Sequence, residues 1–301
     1  LKGIKPKIYP DFESGGSADF SNYNDGKRGG RIRVRAKIHQ ENKDTLIITE
    51  LPFSTTTTSL IQSILKANER GKIKIKKIED NTAEKVEIAI TIPSGISPDK
   101  TIDALYSFTN CEVSISPLAC IIEENKPKFI GVSEILSRST NHTLYLLKRE
   151  LEVILNDLEE KWYFLSLERI FIEKRIYREI EELDNWTEII ETIHKKIKPH
   201  IEGLSRNLSN ENLEKLTEIK IKRITKFDLN KAINEIINLE NKILKTKENL
   251  SNLNSYAINY FKDIKIKYGK DKKRKTEIRT FENIDAKKVV VANKKLYVNR
   301  E

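Results

Sequence analysis

The sequence predicts an α+β chain: a small two-layer α/β segment, then a long antiparallel coiled coil capped by short helices at its far end. Three observations predict it. Before residue 120, short runs alternate apolar and polar residues with period two, and two amphipathic helical runs lie between them. Beyond Ser139 the period becomes helical over two stretches of about forty residues each. Between those stretches lie only short helical pieces, and the economical arrangement returns the second long helix along the first.

Residues 1–26 are rich in Gly, Ser, Asp and Asn (DFESGGSADFSNYNDG) and read as a connecting loop. KRGGRIRVRAKI follows, from Lys27 to Ile38, as a strand. It sets Arg31, Arg33, Arg35 and Lys37 on one face and Ile32, Val34, Ala36 and Ile38 on the other. TLIITE is the next strand. LPFSTTTT then opens a helix carrying Leu60, Ile61, Ile64 and Leu65 on one side, with the Ser/Thr run as cap and Gly71 as its stop. KIKIKKI and KVEIAITI form a hairpin across EDNTAE. SPDKTIDALYSF is a short helix capped by Ser97 or Asp99, and CEVSISP is a final strand. From TLIITE onward the order is β-α-β-β-α-β, a split βαβ pattern: one sheet with both helices on one face.

The first long helix spans 139–184, with Leu151, Leu155, Leu158, Trp162, Leu165, Ile172 and Ile176 on its stripe. The second spans 228–268, with Ile236, Leu239, Ile243, Leu250, Leu253, Ala257, Tyr260 and Ile264 in heptad register and Thr246 as a soft position. At 1.5 Å per residue each would be about 60 Å long, and such narrow stripes need a partner helix. Residues 185–227 form the cap. Its Leu213, Leu216, Ile219, Ile221 and Ile224 are too many apolar groups for a small tip to bury alone, which points to a contact between copies; a self-contained bundle is the alternative. Residues 269–301 begin as a basic linker, and KKVVVANKKLYVNRE reads as the first hairpin of a further domain.

Fifty-five Lys and Arg against forty-five Asp and Glu give a net charge of +10 and a pI near 9.3. That balance favours an anionic partner, nucleic acid first and a membrane surface second. An AT-rich genome also accounts for much of the Lys, but poorly for clustered Arg. No run is apolar over a membrane-spanning length, and no signal peptide opens the chain. Cys111 and Cys120 lack CxxC spacing and read as reduced core thiols; the four scattered histidines speak against a zinc site. The chain has no Met, and it reads as a piece of a longer polypeptide.

Catalytic signals are sparse: RGGRIRV lacks phosphate-loop spacing, and the acidic pairs Glu159–Glu160 and Glu181–Glu182 read as solvated helix faces. The functional signal is the basic run Lys27, Arg28, Arg31, Arg33, Arg35 and Lys37, which contains no acidic residue. Alternate strand residues lie roughly 6.5–7 Å apart, near the phosphate repeat of one nucleic-acid strand. No aromatic residue is interleaved, which disfavours single-strand stacking and leaves duplex-backbone contact. A solvated sheet face is the plainer alternative. A coiled-coil structural protein with a basic head and an RNA-binding module are the competing functional readings, the latter lacking a stacking aromatic pair.

YPDFESGG, NDGKRGGRIRVRAKI, TLIITELPF and TEIKIKRITKFD, in this order, resemble the A subunit of bacterial type IIA DNA topoisomerases (gyrase and topoisomerase IV), most of all the Bacteroidetes-like topoisomerase IV type. The resemblance covers essentially the whole chain. It implies that residues 27–138 are a tower domain beside bent duplex DNA, that the long helices are the coiled-coil arm, and that 185–227 is the C-gate joining a homodimer. It implies that 269–301 leads into a C-terminal DNA-wrapping domain. Partners implied are double-stranded DNA and the topoisomerase B subunit, with no membrane, in the bacterial cytoplasm at the nucleoid. No cofactor falls in this stretch, since Mg²⁺ and ATP belong to the B subunit. The family's nucleophile is a Tyr following an Arg, and none of the ten Tyr here follows one, so no catalytic residue is assigned. The expectation is a scaffold for ATP-dependent double-strand passage that neither cleaves nor relaxes DNA by itself.

Overall fold

The computed structural model describes residues 1–201, 206–220 and 226–289. The chain forms two units: residues 2–139 with 268 onward, and residues 140–267.

The first unit holds two four-stranded sheets. One is built from β1 (Ser17–Asp19), β2 (Ile32–Arg35), β7 (Glu112–Ile115) and β10 (Glu277–Ile278), in the order β10-β1-β2-β7. The other is built from β3 (Lys37–Asn42), β4 (Thr45–Glu50), β5 (Lys77–Asp80) and β6 (Ile88–Thr91), in the order β3-β4-β6-β5. Helices α1 (Thr57–Glu69) and α2 (Pro98–Phe108) belong to it, as does a hairpin of β8 (Cys120–Glu123) and β9 (Lys126–Phe129).

TLIITE forms a strand over its whole length, and all three predicted helix signals act as read. The Thr56 hydroxyl accepts from the Ser59 N–H in a capping box; Gly71, at φ +68°, follows the end of α1; Ser97 caps α2. Strands β4 and β5 each pair antiparallel with β6, which splits the β4-α1-β5 unit as predicted. The single-sheet reading needs correction at the last strand, because CEVSIS pairs with β2 in the other sheet. RIRVRAKI is likewise two strands. Ala36 breaks it: its N–H bonds the Cys111 carbonyl at 2.8 Å and its carbonyl accepts from the Tyr106 hydroxyl at 3.0 Å. Ile38 then crosses to the second sheet.

The main core lies between the second sheet and the helices: Leu46, Ile48, Leu60, Ile64, Ile88, Ile90, Leu105 and Cys111 are all fully or almost fully buried. Each such aliphatic side chain contributes about 1.5–3 kcal/mol. Burial pushes the Cys111 thiol up to about 12. Cys120 is exposed on β8, which corrects the expectation that both thiols are core.

Residues 1–26 are more than a loop. Phe12, Phe20 and Tyr23 pack with Ala18, Ile32 and Val34 into a second core, and Ser17–Asp19 is a strand. Gly16 lets β1 start there, since a Cβ would come within 2.7 Å of the Arg35 carbonyl oxygen and φ is +75°. The basic linker is also structured. The Arg274 guanidinium donates to the carbonyls of Tyr9 and Pro10, and Asp11 accepts from the N–H groups of Lys275 and Thr276. Strand β10 then runs parallel to β1. Backbone hydrogen bonds to the Asp11 carboxylate hold its pKa below the usual range. Thr276 is buried, and its hydroxyl accepts from the Phe12 N–H at 2.8 Å. Thr276→Val would strand that N–H, an expected loss of about 1–3 kcal/mol in chemical unfolding of this unit. The predicted hairpin at KKVVVANKK meets a helical turn, α8 (Ala286–Val289), and otherwise lies outside the described residues.

The second unit contains most of α3 (Val132–Glu173), with α4 (Trp186–Ile197), α5 (Asn210–Thr217), α6 (Lys226–Ser251) and α7 (Leu253–Tyr268). Trp162 Nε1 donates to Glu240 at 3.0 Å, and Lys247 pairs with Glu159 at 2.8 Å, so α3 and α6 run antiparallel. Ile236, Leu239, Thr246 and Ala257 are buried on the returning stripe; Tyr260 and Ile264 are exposed. The first long helix ends earlier than its stripe suggests. Arg175 adopts left-handed φ +57°, and Ile176 reaches the core from a short 3₁₀ turn instead.

Candidate nucleic-acid interface

The basic run enters β2 through a tight turn. Gly30 N–H bonds the Lys27 carbonyl and Arg31 N–H bonds the Asn22 carbonyl, so these amides hold the turn to its own chain. The alternation then acts as predicted on the apolar side, where Ile32 and Val34 are buried among the aromatics and beside Val113 and Ile115. On the other side, β7 brings a matching alternation. Arg35 stands opposite Glu112 and Arg33 opposite Ser114.

Glu112 occupies the centre of this face. Its Oε1 accepts from Arg33 Nε at 2.7 Å, and its Oε2 accepts from Arg33 Nη2 at 3.0 Å and Arg35 Nε at 2.6 Å. Burial alone would raise the Glu112 pKa, but the bonds from both arginines outweigh it and hold the carboxyl below its usual range. The hydrogen bond to Glu112 in turn raises Arg33. The Arg35 guanidinium lies 4.2 Å from the Phe281 ring centroid and 4.5 Å from that of Tyr106, an aromatic sandwich closed by the returning C-terminal segment. Burial pushes the Tyr106 hydroxyl up to about 12.

The six predicted cations therefore divide. Arg33 and Arg35 are largely covered; Lys37 lies in the other sheet and pairs with Glu50 at 3.2 Å. Lys27, Arg28 and Arg31 are exposed, and among the described residues none of them makes an ion pair, although Arg31 Nε donates to the Ser114 hydroxyl. A groove of about 460 Å³ is lined by Arg31 and Arg33 together with Asp19, Asn22, Glu112 and Phe281. Glu112 was missed from sequence, though CEVSIS carries the signal: Glu112 and Ser114 alternate in phase with RIRVR.

The cap residues are placed differently from expectation. Leu213 and Leu216 are buried within the chain's own cluster, against Tyr163, Leu167, Phe171, Ile193 and Ile197, and Ile219 packs on it partly covered. The tip buries these groups by itself, because the end of α3 and α4 supply the missing wall. Ile221 and Ile224 lie outside the described residues. Among the described residues no three His, Cys, Asp or Glu side chains cluster as metal ligands, and no helix is long and apolar enough to cross a membrane.

A basic strand braced by β7, in an α/β unit joined to antiparallel long helices with a helical cap, defines a class of multidomain protein rather than a lone globule. The family model described as the A subunit of DNA gyrase/topoisomerase IV matches residues 2–263. The DNA topoisomerase 4 A subunit of Borreliella burgdorferi is 36% identical over 299 residues, covering 99% of this chain and 47% of that protein. The DNA gyrase A subunit of Helicobacter pylori strain J99 is 25% identical over 313 residues, covering 96% and 35%. That of Lawsonia intracellularis is 24% identical over 246 residues, covering 78% and 29%. The chain belongs to the DNA gyrase/topoisomerase IV A-subunit family, and spans less than half the length of these relatives.

Proposed function

We propose that this chain is the duplex-holding and dimerising scaffold of a type IIA topoisomerase A subunit, part of an isomerase that passes one DNA duplex through another. The observation that carries the reading is the exposed cationic turn and strand start at Lys27, Arg28 and Arg31, with no acidic residue in the run. Such cations contact phosphate without reading base sequence. A second copy meets the chain through the outer surface of the helical cap, where Trp186 at the start of α4 is more than half exposed. The working enzyme pairs two A with two B subunits, and Mg²⁺ and ATP act from the B subunit.

Binding of this chain to a mixed-sequence duplex, followed by fluorescence anisotropy, tests the reading. The logarithm of affinity should fall linearly with the logarithm of salt, by about 0.9 per phosphate neutralised. With three or more contacts the slope should exceed about 2.5 in magnitude. Affinity that is negligible, or indifferent to salt, would sink the proposal.

A further inference from the structure

Six cations in one run look like six phosphate contacts, but their surroundings differ. The Arg33 and Arg35 side chains retain 22% and 13% of their exposure, and both already bond Glu112. Both Glu112 oxygens are occupied by these guanidinium groups, at 2.6 to 3.0 Å. Arg35 is further held between Phe281 and Tyr106, while Arg33 also feels the Asp19 carboxylate. A phosphate approaching this pair would meet Glu112 and Asp19, two anions in place. To win the arginines it would have to leave a largely covered carboxylate unpaired, which is costly.

Resting on the duplex-binding reading above, we propose that Glu112 partitions the basic run: Lys27, Arg28 and Arg31 contact phosphate, while Glu112 holds Arg33 and Arg35 back as positioning residues. Their task is to brace β2 against β7 and the Phe281 segment, so that Arg31 enters the start of β2 at a fixed place. Glu112 thereby sets how many phosphates the strand engages.

The salt slope counts phosphate contacts separately from overall affinity, so it distinguishes contact from bracing. In the whole chain, with a mixed-sequence duplex, Arg31→Ala and Arg28→Ala should each reduce the slope by about 0.9, which is about a threefold smaller affinity change between 0.05 and 0.2 M salt. Arg33→Gln should lower the melting temperature yet leave the slope unaltered. Glu112→Gln, which keeps the shape and removes the charge, should steepen the slope and tighten binding at low salt. An Arg33→Gln slope reduced as much as that of Arg31→Ala would overturn the partition, and so would a Glu112→Gln slope equal to the parent's. If Arg33→Gln does not fold, the Glu112→Gln and Arg31→Ala comparison decides alone. A parent chain with no salt-dependent duplex binding overturns the scaffold reading itself, and the partition with it.

Discussion

Leu216→Asp should dismantle the helical cap and leave the α/β unit standing. Leu216 and Leu213 are 0% and 1% exposed, on a two-turn helix that shares one apolar cluster with the end of α3 and α4. Lost packing alone costs about 2–5 kcal/mol, and an aspartate there has no partner, so it must either take up a proton or pull the helix out. The cap has few other buried side chains to absorb this, whereas domains as a whole are stable by only about 5–15 kcal/mol. Hydrogen exchange is expected to show protection lost over Trp186–Thr217 and kept over Thr45–Glu50. The competing expectation, that Leu216 faces a second copy, predicts the opposite: a monomer by sedimentation whose cap remains protected.

The cap shows how far an apolar count depends on segments distant in sequence. Leu213, Leu216 and Ile219 find a third wall in Tyr163, Leu167 and Phe171, some fifty residues earlier in the chain. Local signals fared well where the physics is local. The Thr56 and Ser97 caps, the Gly71 stop and the β4 boundaries depend on neighbours within a turn, and all were legible. Pairings between distant segments were not. Nothing near Thr276 announces that its hydroxyl will hold the Phe12 N–H, 264 residues away. The β8–β9 hairpin was legible but unread: Glu124 and Asn125 both adopt positive φ, as a tight two-residue turn demands.

The site follows the same division. Period two correctly sorted the Arg side from the Ile/Val side of β2, because that sorting is a property of one strand. It could not say whether like charges on that face meet solvent, DNA or protein, since the answer sits on a strand nearly eighty residues further on. Repulsion among Arg31, Arg33 and Arg35 is relieved first from within, by Glu112. Only the start of the run remains for an outside anion, and that start depends on the glycine pair.

Gly30→Ala should therefore do far more damage than Gly29→Ala, although Gly29 is the one with positive φ. A Cβ on Gly30 would overlap the Tyr23 carbonyl oxygen and crowd that of Lys27 at 3.1 Å, both backbone atoms that cannot rotate away. Gly29 sits at φ +86° with open space where its Cβ would go, so alanine there costs only backbone strain, about 1–2 kcal/mol. For Gly30 the clash has to push the turn off Tyr23, whose ring lies in the aromatic core with Phe20 and Tyr9. Overpacking of that kind costs about 1–3 kcal/mol even where side chains can yield, and here they cannot, so a larger loss is expected. The two variants also separate in binding. Gly29→Ala should keep the duplex salt slope of the parent, because Arg31 still leaves the sheet from the same bond to the Asn22 carbonyl. Gly30→Ala should flatten it while the chain is still folded by circular dichroism, because displacing that bond moves Arg31 and Arg28 together. Equal unfolding midpoints for the two variants would show that the close approach of Gly30 to Tyr23 is not what fixes the start of β2.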